Sequence, residues 1–227
     1  MFWVGILYFA QGFPLGVFYD VFPVHFRSQG VDLRAIGLLS LLGLAWTLKF
    51  LWAPAIDHYR HHRRWMLGAD LAMGAVLLFL AAQHGFGPPV WIAIALFTLL
   101  SATNDIAIDG YTVEHVEKKD LGLANGIRIA LYRVGMLAAG FILILSDVVG
   151  WGGAYLAAAG LIAALGVVCL LAPREKSMAT RTGLSLGNEL KNIIASPRAF
   201  AASSASRPNG NSIETARTNF FITPPPA

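Results

Sequence analysis

Ser101, Asp105 and Asp109 stand four residues apart in SATNDIAIDGYTVE, a stretch that closes the apolar run VWIAIALFTLL. On a helix that spacing puts all three side chains on one face. Carboxylates on such a face can hold cations, exchange protons or balance a charged solute. A second polar face follows in ANGIRIALYRVGM, where Asn125, Arg128 and Tyr132 align and Arg133 sits beside them. Lys49, Asp70 and Gln11 are further polar residues inside apolar surroundings. A charge at the centre of a bilayer costs about 2.5–3.5 kcal/mol on insertion scales. Such side chains therefore pair with one another or line a watery cavity.

The elements that must position them are read from composition. The chain has 227 residues, of which 56% are hydrophobic and 13% charged. A soluble domain carries roughly 25% charged residues. Mean hydropathy is +0.59, and apolar runs near the ~20 residues needed to cross a bilayer recur along the chain. The fold class expected is an all-α membrane protein, a bundle of six transmembrane helices over 2–26, 35–53, 65–82, 90–111, 122–146 and 151–171. Only helices and closed barrels satisfy every backbone group in lipid. Pro14 falls inside the first span, where it removes a helical hydrogen bond and predicts an irregularity. Gly12/Gly16 and Gly122/Gly126 have the spacing that lets helices approach closely. The first apolar run is too long for a cleavable leader and no basic region precedes it.

Charge distribution sets the orientation. Arg60, Arg63 and Arg64 lie between the second and third spans, Lys118 and Lys119 between the fourth and fifth, and further cations follow the sixth. On the other side the loop 27–34 carries Arg27 and Arg34, and the loops 83–89 and 147–150 carry no Lys or Arg. The positive-inside rule then places both termini in the cytoplasm. At a rise of 1.5 Å per residue, Asp105 and Lys49 lie roughly 21–22 Å below the outer surface. Asp70 and Arg128 lie roughly 8–9 Å above the inner one. Four charges on four helices reach a similar level, and Lys49–Asp105 and Arg128–Asp105 or –Asp109 are the expected pairs. A static salt-bridge network would satisfy the same residues without moving.

The remainder carries little chemistry. HYRHHRR reads as a solvated basic loop, and no metal is expected there. No catalytic triad, zinc motif or phosphate loop occurs, so neither an enzyme nor a cofactor is expected. The basic balance is absorbed by topology, which argues against nucleic acid as a partner. The lone Cys169 permits no internal disulfide. The bundle is assigned to 1–172, a cytoplasmic amphipathic linker to 173–199, and a disordered tail of out-of-frame character to 200–227.

YFAQGFPLG, LKFLWAPAIDHY, SATNDIAIDGYTVE and ANGIRIALYRVGM resemble segments of the AmpG-type permeases of the major facilitator superfamily, which are similar in turn to acetyl-CoA transporters. The resemblance covers roughly residues 6 to 172 and implies the N-terminal half of a two-half fold, with solute bound between halves at mid-membrane. It implies proton-driven import of anhydro-muropeptides across the bacterial inner membrane. On that reading Gln11, Lys49, Arg128, Tyr132 and Arg133 are candidates to contact a sugar-peptide or anionic solute. Asp105, Asp109 and Asp70 are candidates for protons or exchanging ion pairs. Asp57, Arg63 and Arg64 occupy the gating loop, although its usual glycine is replaced. A second half or a homodimer would complete the transporter; a truncated or frameshifted fragment without activity is the alternative.

Overall fold

The computed structural model describes residues 1–59, 61–83 and 85–173, apart from the side chains of Asp57, His58, Tyr59 and Lys118. The amphipathic linker, apart from Pro173, and the tail expected from the sequence lie outside the described residues. Among the described residues every regular element is helical.

The first span runs from Phe2 to Ser28. It comprises α1 (Phe2–Gly16), one π-helical segment (Val17–Val21) and α2 (Phe22–Ser28). The irregularity expected at Pro14 appears in the turn just after it. A π-turn adds a residue to the ring and re-aims the side chains beyond it. The second span is broken more often. α3 (Leu33–Leu42) starts at Asp32, whose side chain accepts the Arg34 N–H. Gly43 separates it from α4 (Leu44–Leu48), which tightens into a 3-10 turn at Lys49–Leu51. The segment read as a loop from residue 54 instead opens as α5 (Ala53–Tyr59). Pro54 is no obstacle there, because a first-turn N–H has no helical partner to lose.

α6 (His62–Ala81) and α7 (Pro88–His115) follow. α7 outruns its sequence bounds at both ends, with proline in its first turn. α8 covers Leu121–Leu170. Fifty helical residues would reach about 75 Å, more than twice a bilayer core. Gly150 breaks it at φ 75° and ψ 170°, a backbone region where a Cβ is strained. The two limbs are the fifth and sixth spans expected from the sequence.

α8 packs along α1 and α6, and α6 along α7. Two cores result. Phe13, Phe22, Leu77, Phe97 and Tyr155 fill one; Leu7, Tyr8, Met66, Tyr111 and Cys169 fill the other. The α1–α8 crossing is set by glycine. A Cβ on Gly12 would collide with the Tyr132 carbonyl, and one on Gly16 would lie 2.6 Å from the Met136 oxygen. Gly135 meets the α1 backbone at Phe9 and Phe13 from the other side. The expectation for Gly122 and Gly126 fails: nothing lies within 4 Å of either Cβ position. Spacing alone does not specify a contact, since both glycines fall on an exposed face of α8. By contrast α3 and α4 turn Leu38, Leu41, Leu44 and Leu48 outward.

Overpacking a tight contact costs about 1–3 kcal/mol or more. Gly135→Leu should therefore lower the melting temperature of the purified protein by several degrees or prevent its recovery. Gly126→Leu should melt with the parent chain. Equal melting of all three would contradict the crossing described.

Candidate functional site

α7 supplies the carboxylates. Its 28 helical residues carry Ser101, Asp105 and Asp109 down one side, as their spacing requires. Asp105 is buried, with a side chain 9% exposed, whereas Asp109 is 29% exposed. The 3-10 turn that ends the second span brings in Lys49. Its Nζ lies 3.3 Å from Asp109 Oδ2 and 3.7 Å from Asp105 Oδ2. The N-terminal limb of α8 brings in Arg128, whose Nη2 lies 3.5 Å from Asp109 Oδ1. Tyr8 on α1 donates its hydroxyl to the same Oδ1 at 3.0 Å. The Arg128 guanidinium lies 4.9 Å from the centroid of the Tyr8 ring, within the ~6 Å range of a cation–π contact.

Asp109 is thus the hub. Three helical elements besides its own converge on one carboxylate, and the formal charges of Lys49, Arg128, Asp105 and Asp109 cancel. Trp52 steadies the Lys49 turn by donating its indole N–H to Thr103 on α7 at 3.2 Å.

Two cavities meet at Asp109. One of ≈ 590 Å³ is walled by Trp46, Lys49, His62, Asp109 and Glu114. The other, of ≈ 130 Å³, is walled by Tyr8, Thr112, Asn125 and Arg128 as well as Asp109. The arrangement can therefore present two cations to a solute while a carboxylate competes for them.

Of the other expected site residues, Gln11 lies beside the cluster and the rest lie further out. Gln11 is buried, 4% exposed; its side chain hydrogen-bonds Asp105, while its Oε1 has no hydrogen-bond partner. Tyr132 is half-buried and packs with the Tyr8 core. Arg133 is exposed and makes no ion pair among the described residues. Asp70 shares the depth of the cluster but not its place. It is 1% exposed and accepts from Asn104 Nδ2 at 2.8 Å. A Cβ on Gly166 would lie 2.7 Å from Asp70 Cβ. Asn104 and Asp105 are adjacent on α7, so they point about 100° apart. Depth arithmetic could not see that difference, because it ignores the azimuth of each helix.

In the loop assigned to gating, Arg63 donates through Nη2 to the Leu170 carbonyl, at the end of α8. Arg64 is exposed, and the side chain of Asp57 lies outside the described residues. HYRHHRR is not wholly solvated as expected. His62 is buried at the start of α6, with Nε2 3.8 Å from Glu114 Oε1. Its ring lies on Gly110, where a Cβ would come within 2.7 Å of Cε1. The available signal was Gly110 and Glu114 on α7, a gap and an acid one turn apart. Among the described residues no three His, Cys, Asp or Glu side chains gather as a metal set.

The profile of the Major Facilitator Superfamily matches residues 4–218. The chain belongs to this superfamily of membrane transporters, and its apolar helices make it a multi-pass membrane protein. It is similar to the anhydromuropeptide permease of Escherichia coli K12, 32% identical over 181 residues that cover 74% of this chain and 36% of the permease. An uncharacterized Haemophilus influenzae protein is 33% identical over 160 residues, 65% of this chain and 37% of that protein. A putative transporter of Rickettsia conorii, AmpG 4, is 25% identical over 153 residues, 62% of this chain and 36% of that protein. The chain spans 36–37% of the length of these curated relatives.

Paired charges couple energetically. Asp109→Asn should destabilise the protein by about 1–3 kcal/mol, because Lys49 and Arg128 lose their shared carboxylate. Lys49→Met should partly offset that loss, giving a positive coupling in a double-mutant cycle. Strict additivity in thermal unfolding would remove the Lys49–Asp109 pair.

Proposed function

We propose that this chain forms one six-helix half of a secondary transporter, with the Asp109 hub on the face that meets the solute. The observation that carries this reading is the hub itself: two cations from different helices share one carboxylate between two cavities. Membership of the superfamily supports the direction of the inference. Similarity to an anhydromuropeptide permease suggests a sugar-peptide or another anionic solute.

The mechanism follows from competition. With Asp109 ionised, Lys49 and Arg128 are neutralised within the bundle. When Asp109 takes a proton, Arg128 loses its carboxylate and Lys49 keeps only Asp105, so the site gains net positive charge and attracts an anion. Return of the proton to the other side restores the pairs and expels the solute. Import would thus run with protons across a bacterial inner membrane, both termini facing the cytoplasm. Gln11, Tyr132 and Arg133 would add polar contacts, and Asp105 would hold Lys49 near the hub while Asp109 is neutral. In this scheme Asp70 serves proton movement only if its neighbourhood with Asn104 opens.

The fold of the superfamily joins two such halves. A second half, or a second copy of this chain, would close the cavity. The outward leucines of α3 and α4 offer one apolar surface for either lipid or that partner.

The test is uptake of radiolabelled anhydro-muropeptide by proteoliposomes holding the full chain, under an inward proton gradient. The expected result is gradient-stimulated uptake that falls at least about tenfold in Asp109→Asn, the loss of one charge-assisted contact being worth ~1.4 kcal/mol or more. Crosslinking in the same vesicles should give a dimer. Gradient-insensitive uptake, or unchanged uptake in Asp109→Asn, would sink the coupling role. A strictly monomeric chain with no uptake would leave a bundle that inserts without transporting.

A further inference from the structure

A third cavity lies at the other end of the bundle. It has a volume of ≈ 340 Å³ and is walled by His25, Gln29, Gln83, Phe86, Trp151 and Tyr155, among others. Val90, near the start of α7, also lines it. Val90 and Asp109 are nineteen residues apart on that helix, or about 28 Å. The cavity is therefore separate from the charged hub.

Its walls are ordered by aromatic packing. His25 stacks on Trp151 with centroids 4.2 Å apart and planes at 27°. Phe86 meets His25 edge-on at 5.3 Å and Phe26 at 4.2 Å. His25 Nδ1 and the Tyr155 hydroxyl share a hydrogen bond of 2.7 Å, which ties α2 to the last limb of α8. This leaves His25 Nε2 without a hydrogen bond among the described residues. No Lys, Arg, Asp or Glu lines the cavity among the described residues. Gln29 and Gln83 contribute primary amides, each able to donate and accept.

Small-molecule sites combine apolar and aromatic walls with a few placed polar groups, in volumes of roughly 300–1,000 Å³. This cavity is at the small end of that range and holds a single ring. We propose that it binds an uncharged ring compound with a polar rim, its face against the aromatic wall and its rim on Gln29, Gln83 and His25. Among the described residues no charged side chain lines the cavity to pair with an ion; the aromatic wall would favour only a cation, which is why a quaternary ammonium serves as the competing probe. A hydroxylated saturated ring and a heteroaromatic amide share this chemistry.

Saturation-transfer NMR on the full chain tests it, in phospholipid nanodiscs free of glycolipid and of maltoside detergent. The probes are methyl β-D-glucopyranoside and nicotinamide, with tetramethylammonium as the cationic control. One of the two neutral probes should saturate, and which one does so identifies the ring class. Its affinity should fall about tenfold in Gln83→Ala, in Trp151→Leu or in both, the value of one lost polar or stacking contact. If Trp151→Leu does not fold, Gln83→Ala decides. No saturation by either neutral probe, unchanged affinity in every folded variant, or tighter binding of tetramethylammonium would overturn the proposal. None of these outcomes depends on transport through the charged hub.

Discussion

One carboxylate holds the charged interior of this protein together. Asp109 receives Tyr8 from α1, Lys49 from the second span and Arg128 from α8. In lipid an unpartnered charge costs kilocalories, so movement of these helices relative to α7 must keep each cation either paired or open to a cavity. The same arrangement is polarised. Asp109 is partly open to two cavities while Asp105, one turn away, is buried. A network with one member open to solution is able to exchange a partner, which a fully enclosed network is not.

Glycine holds the frame around that hub. Gly12 and Gly16 on α1 and Gly135 on α8 bring the two backbones together. Tyr8 and Arg128 lie one turn before this crossing on their respective helices, so the crossing fixes how the guanidinium meets the ring. Gly110 plays the corresponding part for His62 at the base of the larger cavity. The close approaches and the charges are thus one construction: small residues set the interhelical distance, and the distance lets short ion pairs form.

Much of this was legible in the sequence because lipid imposes few solutions. Apolar run length located the spans, and four-residue spacing located the face of α7. Depth along each span found Lys49, Asp105 and Arg128 as potential partners. The differences have separate causes. Asp70 was grouped with the cluster because depth is one coordinate and azimuth another; in the fold it faces Asn104 and Gly166. Gly122 and Gly126 matched a packing motif but lie on an exposed face, which only tertiary structure decides. Residue 54 lies in the first turn of a helix rather than in a loop, because proline is tolerated there. His62 hid within a basic stretch whose other members are polar, and only the gap at Gly110 accommodates its ring.

The central claim is that Asp109 competes with an anionic solute for Lys49 and Arg128. The most direct measurement is equilibrium binding of an anionic sugar-peptide to the full chain in nanodiscs, comparing the parent protein with Asp109→Asn at neutral pH. Competition predicts that the asparagine variant binds several-fold tighter, about 1 kcal/mol, even though its gradient-driven uptake is lost. Equal or weaker binding in the variant would contradict the account, and would leave the cluster as a fixed structural network.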